Sequence, residues 1–260
     1  MTGDVQNEMY CNMEHGMERY MTYGVIVGNR GFFPAQLCNA GRARLLAALA
    51  KRGDKAISLI PKATNARGAL ESLADARACA AQLRAQAAKL DGLIVTLPNL
   101  GEERAIANAM REANLDLPVL VHAYADDAAK MTCAHRRDSF CGKISVCSNL
   151  RQYGIKVTLT QQQTCVPESP EFTADLDMFG AVCRIVRCLR RARIGARPAA
   201  FNTVGYSEEL LERAGISIET LKVSEAVRRV EKLRAGDERV RAQLNANGAC
   251  ISTSHTACVQ

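Results

Sequence analysis

Two rhythms of apolar and polar positions divide this chain. Tyr23-Gly-Val-Ile-Val27 is a continuous apolar run, interrupted only by Gly24, and it ends in Gly28-Asn-Arg-Gly31. Residues 35–51 then take up a helical spacing, with Leu45, Leu46 and Leu49 as an i, i+1, i+4 stripe and Arg42, Arg44, Lys51 and Arg52 largely outside it. This pattern predicts a strand, a tight loop and a helix. Gly53 closes the helix, and residues 55–60 predict a second strand that Pro61 stops. Residues 64–68 predict a turn. Residues 69–89 predict an alanine-rich helix with Leu70, Leu73, Ala76, Ala80 and Leu83 on one side. Residues 92–97 and 117–121 are nearly all apolar, as expected of strands covered on both faces. Between them Glu102 and Glu103 open a helix ending near Asn114, acidic residues in a first turn favouring its positive end.

After the fourth strand a polar loop runs from His122-Ala-Tyr-Ala-Asp-Asp127 through His135-Arg-Arg-Asp138. Ser139 is the expected cap of a helix that starts near Phe140 and stops at Gly154. Residues 155–160 alternate as a fifth strand, residues 161–170 form a linker rich in glutamine, proline and serine, and residues 171–190 predict a further helix. Short units follow: strands at 192–195 and 216–222, and helices at 207–214, 224–234 and 236–245. The repeated β–α order with short links predicts an α/β fold, a doubly wound, mostly parallel sheet in a flavodoxin-like three-layer sandwich. An incomplete second α/β unit follows it, with too few strands and too little apolar material to close a sheet of its own. The expected domains are a disordered extension at 1–21, a first α/β domain at 22–190, the start of a second at 191–248 and an irregular tail at 249–260.

Composition narrows the classes. The apolar fraction of 48% fills a core, yet charge or glycine breaks every apolar run well short of membrane-spanning length. Residues 1–22 carry Asp4, Glu8, Glu14 and Glu18 and no apolar core, which does not match a signal peptide. The 34 lysines and arginines exceed the 27 acidic residues, giving a net charge of +7. No zinc-finger spacing or interleaving of aromatic and basic residues accompanies that excess, so neither nucleic acid nor membrane is an expected partner. The 11 cysteines are odd in number and scattered through helical and strand-like runs, which fits reduced thiols and a cytoplasmic location. Cys133, His135, Cys141 and Cys147 lack the spacing of a zinc ribbon or finger.

Ligands of open α/β sheets sit beyond the carboxyl ends of the strands, so the loop Gly28-Asn-Arg-Gly31 is the leading candidate. Its glycines allow close backbone approach, and exposed N–H groups with Arg30 can hold ligand oxygens. The alternative is a plain turn with Arg30 in solvent. A dinucleotide fingerprint is excluded, because the third glycine and the acidic residue ending strand two are both missing. Asp126, Asp127, Asp138, His122 and His135 are each more ordinary as loop or core groups than as catalysts, and the arginine run Arg184–Arg197 reads as surface or interface.

Four blocks in order are similar to the amino-terminal part of the L-fucose isomerase and related sugar isomerase family. They are Gly24-Val-Ile-Val-Gly-Asn-Arg-Gly-Phe-Phe-Pro34, Asp91-Gly-Leu-Ile-Val-Thr-Leu-Pro-Asn99, Arg136-Arg-Asp-Ser-Phe-Cys-Gly-Lys-Ile-Ser-Val-Cys147 with Ser148-Asn-Leu-Arg-Gln-Tyr-Gly154, and Ile194-Gly-Ala-Arg-Pro-Ala-Ala-Phe-Asn-Thr203. The resemblance runs from about residue 22 to about 247. It implies aldose–ketose interconversion with a divalent cation, usually Mn²⁺, in an oligomer. It also implies that Arg30, with Asn29 and Gly31 around it, binds sugar and that Pro98 and Asn99 contribute a second loop. The metal-binding carboxylates and histidine of the family lie beyond the matching region, so no catalytic or metal-binding residue is assigned to this chain. The expectation is a truncated isomerase-like chain for sugar recognition and subunit assembly, inactive alone and binding no cofactor by itself. The alternatives are an isomerase completed by a separate carboxyl-terminal segment, and a noncatalytic sugar-binding or interaction module. The expected partners are a monosaccharide and either a second copy of the chain or that carboxyl-terminal segment.

Overall fold

The computed structural model describes residues 20–59, 67–188 and 191–233, together with 236–238, 240–242, 244 and 245. It divides into two compact units, Met1–Cys188 and Leu189–Gln260. The extension expected before residue 20 and the tail expected from 249 onward lie outside the described residues, as do Ile60 and Pro61.

In the first unit five strands and five helices alternate along the chain. They are β1 (Thr22–Val27), α1 (Ala35–Lys51), β2 (Lys55–Ser58), α2 (Leu73–Gln86), β3 (Gly92–Leu97), α3 (Glu103–Ala113), β4 (Val119–Ala123), α4 (Ser139–Gln152), β5 (Thr158–Leu159) and α5 (Pro170–Cys188). All pairings are parallel and the order across the sheet is β2-β1-β3-β4-β5. The sheet is thus the doubly wound one expected. Alternate residues of each strand serve opposite faces. Tyr23, Val25, Val27, Ile94 and Leu120 pack with Leu45 and Leu49 of α1 and Phe172 and Phe179 of α5. Ile26, Val95, Leu97 and Val121 pack with Leu83 of α2, Ile106 of α3 and Val146 of α4. Three layers result, and the apolar runs are explained by burial on both sides.

Several boundaries differ from expectation; β4 runs two residues later than 117–121, which takes His122 out of the expected polar loop and into the sheet. The alanine-rich helix begins at Leu73 and not at 69, because Ser72 caps it by accepting the Asp75 N–H at 3.2 Å. Ala69 instead lies in a bend, and Leu70 bridges Gly28 beside the sheet. The fifth strand shrinks to two residues. Thr160 turns toward the Gln162 carbonyl and the Lys143 ammonium, each at 2.5 Å, which draws the chain out of the ladder. Ser139 opens α4 from within, while Asp138 occupies the cap position in the left-handed region at φ 51°.

The second unit has two parallel strands, β6 (Arg191–Gly195) and β7 (Ser217–Leu221). The helices α6 (Glu208–Arg213) and α7 (Val223–Glu231) follow them. Leu210 on α6 and Val223, Val227 and Val230 on α7 are exposed. The helix expected at 236–245 is helical where it is described, from 238 onward.

Candidate functional site

The strand order reverses between β1 and β3: the chain leaves β1 toward β2 on one side, then returns to place β3 on the other. At such a switch point adjacent loops diverge and open a crevice at the carboxyl ends of the strands. The β1–α1 loop and the β3–α3 loop therefore lie side by side, which brings together Asn29, Arg30 and Gly31 from one and Pro98 and Asn99 from the other.

Asn29 and Asn99 are both fully buried. The Asn99 amide donates through Nδ2 to Asn29 Oδ1. Asn99 Oδ1 accepts the backbone N–H of Gly101 at 3.2 Å and, more weakly, that of Arg30 at 3.4 Å. Asn29 in turn donates through Nδ2 to Glu71 Oε1 at 2.7 Å and accepts the Cys38 thiol at 3.1 Å. Backbone N–H groups left free where parallel strands end need such acceptors. These two asparagines are therefore the frame of the crevice, and their amides are not free for a ligand.

Space is equally determined. A Cβ on Gly28 would lie 2.7 Å from Leu97 Cδ2 and 2.9 Å from Ile106 Cδ1, so only glycine lets the two loops approach. Gly101 has φ +74°, a left-handed turn that glycine adopts without strain. Gly142 of α4 presses against Leu100, where an added Cβ would sit 1.9 Å from the carbonyl oxygen.

Arg30 is partly open, with 26% of its side chain exposed. Its Nε donates to the Gly101 carbonyl at 3.1 Å, and its Nη2 meets Glu103 and, at 3.4 Å, Glu102. Its Nη1 makes no hydrogen bond among the described residues and is the free donor of the site. Gly31 is exposed beside it. Phe32 is 73% exposed, and its ring lies 5.0 Å from that of the buried Phe33. An exposed ring, a cationic donor and two carboxylate acceptors at one rim suit a polyhydroxylated ligand: hydroxyls both give and take hydrogen bonds, and the C–H face of a sugar ring packs on an aromatic. Pro98 is buried, and its carbonyl accepts from Arg137 Nη1 at 2.8 Å.

The remaining candidates have structural duties. Asp126 accepts the backbone N–H of Arg137 at 2.8 Å and of Asp138 at 3.3 Å, which staples the loop before α4. Asp127 pairs with Lys130 at 3.4 Å, and Asp138 with Arg136 at 3.3 Å. His122 is fully buried between Thr96 Oγ1 and the Cys165 carbonyl, both at 3.0 Å, and burial pushes its pKa down to about 4. A neutral core histidine is the result. His135 contacts Thr132 at 2.8 Å in the exposed loop. Burial also raises the Cys38 thiol to about 11, and its Sγ is committed to Asn29 Oδ1 in the interior. Among the described residues no three His, Cys, Asp or Glu side chains converge as a metal site, and Cys133, His135, Cys141 and Cys147 do not either. In the arginine run Arg187 is bound to Asp91, and Arg197 to the Ala199 carbonyl at 3.3 Å and Asn202 at 3.0 Å.

Sequence reasoning did not single out Phe32, Glu71, Glu102 or Glu103 as parts of the site. Glu102 and Glu103 open α3 and also share Arg30, and their place directly after Pro98-Asn-Leu-Gly101 is the signal for that second role. Among the described residues no helix is long and apolar enough to cross a membrane.

Residues 24–190 match the family model described as fucose/sulfoquinovose isomerase, N-terminal domain. No curated protein matches the chain.

Proposed function

The chain belongs to the fucose/sulfoquinovose isomerase family through its N-terminal domain, and from that membership we propose that the first unit recognises an aldose or ketose at the β1–β3 switch point. The observation that carries this reading is the convergence of Arg30 and the Asn29–Asn99 frame on one rim. In this reading Arg30 Nη1 donates to a sugar hydroxyl, Glu102 and Glu103 accept from others, and Phe32 covers the C–H face. Asn29, Gly31, Pro98 and Asn99 hold the two loops at the spacing this requires.

Isomerisation moves hydrogen between two adjacent carbons and needs an electrophile on both oxygens plus a positioned base. A divalent cation such as Mn²⁺ supplies the electrophile in sugar isomerases of this resemblance. Around Arg30 the nearest carboxylates are its own ion-pair partners, an arrangement made for holding a ligand and not for taking its proton. We therefore assign recognition to this chain and the chemical step to groups supplied by a separate carboxyl-terminal segment. The exposed stripe Val223, Val227 and Val230 at i, i+4 and i+7 supports an assembly role for the second unit, since it is an apolar helix face left open among the described residues.

The test is to assay the purified chain with Mn²⁺ and L-fucose or D-arabinose. Sugar binding without turnover is expected. Turnover proportional to protein and abolished by chelator overturns the assignment of chemistry elsewhere. A clean monomer in ultracentrifugation contradicts the assembly role.

A further inference from the structure

At the amino ends of the strands, away from the switch point, a cleft of about 350 Å³ is lined by Tyr20, Thr22, Lys55, Lys89, Asp91 and Arg187. Its construction starts from Asp91, whose side chain is only 3% exposed. Asp91 Oδ2 accepts the Thr22 N–H at 2.9 Å, and Oδ1 holds the Arg187 guanidinium. Both carboxylate oxygens are thereby occupied, and Arg187 is fixed in place with 45% of its side chain still open. Lys55 and Lys89 are exposed and form no ion pair among the described residues. Three cations against one carboxylate leave the lining with a net charge of +2.

Basic residues collect at this end of a doubly wound sheet because helix carboxyl termini point there. That accounts for Lys51 in the last turn of α1 and for Lys89 at the end of the short 3-10 segment after α2. It does not account for Lys55, which opens a strand, since strands carry little net dipole. Nor does it account for a buried carboxylate that orders an arginine at the mouth of a cavity.

We propose that this cleft binds the phosphate group of a small phosphate monoester. A phosphate monoester carries a charge near −2 at neutral pH and several strong acceptor oxygens, which matches the unneutralised charge of the lining. The Lys55 and Lys89 ammonium groups take those oxygens, with the Tyr20 hydroxyl and the open side of Arg187 as further donors. The cavity falls within the usual size range for small-molecule sites and exceeds what a lone phosphate fills, leaving room for a short carbon chain. The site is independent of the sugar reading and lies on the opposite end of the same sheet.

The experiment is calorimetric titration of the full chain at fixed ionic strength with glycerol 3-phosphate and, separately, inorganic phosphate. Saturable binding of the ester is expected, tighter than that of inorganic phosphate. The Lys55→Gln/Lys89→Gln variant is expected to weaken ester binding by about tenfold or more, the scale of one charged hydrogen bond. Both lysines are exposed, so the variant keeps its fold, which circular dichroism checks. The control is Arg104→Gln, an exposed cation at the start of α3. Unchanged binding in the double variant overturns the site. So does an equal loss in Arg104→Gln, which would mean diffuse attraction to a chain of net charge +7. Equal affinity for inorganic phosphate and the ester overturns the assignment to an ester.

Discussion

Asn29 and Asn99, seventy residues apart in the chain, are hydrogen-bonded to one another across the switch point, with Asn99 as donor. Each follows a central strand by two residues, and neither is exposed. Asn99, held by Asn29, anchors the backbone N–H groups of Arg30 and Gly101, so the shape of the crevice rests on a polar contact inside an otherwise apolar sheet.

Asn99→Ala leaves the Arg30 and Gly101 N–H groups and the Asn29 carbonyl oxygen short of a partner. A loss of about 1–3 kcal/mol is expected for such buried groups. Urea unfolding of Asn29→Ala, Asn99→Ala and the double variant should show less-than-additive losses, with a coupling of about 0.5–3 kcal/mol. Strict additivity would mean that the two side chains act separately.

Gly142→Ala places a methyl group against the Leu100 backbone carbonyl, with no flexible side chain to yield. Overpacking of this kind costs about 1–3 kcal/mol. Because Leu100 adjoins Asn99, sugar affinity should fall with stability. Gly154→Ala also destabilises, through φ +74°, yet nothing lies within 4 Å of its Cβ position. Calorimetry of that variant should show sugar affinity unchanged.

His122 sets an acid limit. Its pKa is about 4 in the fold against an ordinary 6.5, so the unfolded chain binds the proton more readily. Above pH 6.5 the histidine is neutral in both states and carries no penalty. As pH falls from there toward 4, the fold loses stability, reaching about 3 kcal/mol from this group. His122→Gln keeps a hydrogen-bonding side chain that does not titrate. Its unfolding free energy should be flatter with pH across that window than that of the parent.

Thiol reactivity should divide by burial. Cys133 and Cys141 are exposed, whereas burial pushes Cys79 and Cys183 to about 12. Mass spectrometry after brief iodoacetamide treatment of the native protein at pH 8 should show alkylation of the first two and protection of the second pair. Fast labelling of Cys79 would show that the α2 layer opens.

The sheet was legible because β1, β3 and β4 are buried on both faces, and continuous apolar runs have few other uses. Edges were harder. The end of β5 is decided by Thr160 turning to Lys143 and Gln162, a tertiary contact that no local pattern reports. Leu70 looked like part of a helical stripe because leucine suits either element; Ser72, the residue that separates it from α2, was the missed signal. At the site, the glycines around Arg30 pointed to a close approach, but nothing in the spacing indicated that Asn29 would be buried as a frame or that Glu102 and Glu103 would share Arg30. Pairings across seventy residues leave no periodicity. An asparagine two residues beyond each of two apolar strands, and an acidic pair directly after the second of those loops, were the traces available.

The central claim is that the rim formed by Arg30 and the Asn29–Asn99 frame holds a sugar. The most direct measurement is a titration of the ¹⁵N-labelled chain with L-fucose, followed by amide chemical shifts. Saturable shifts are predicted at Arg30, Gly31 and Gly101. They should vanish in Arg30→Ala, whose stability should stay within about 1 kcal/mol of the parent because partly exposed ion pairs contribute little. Shifts that are absent at saturating sugar, or that persist unchanged in Arg30→Ala, would contradict it.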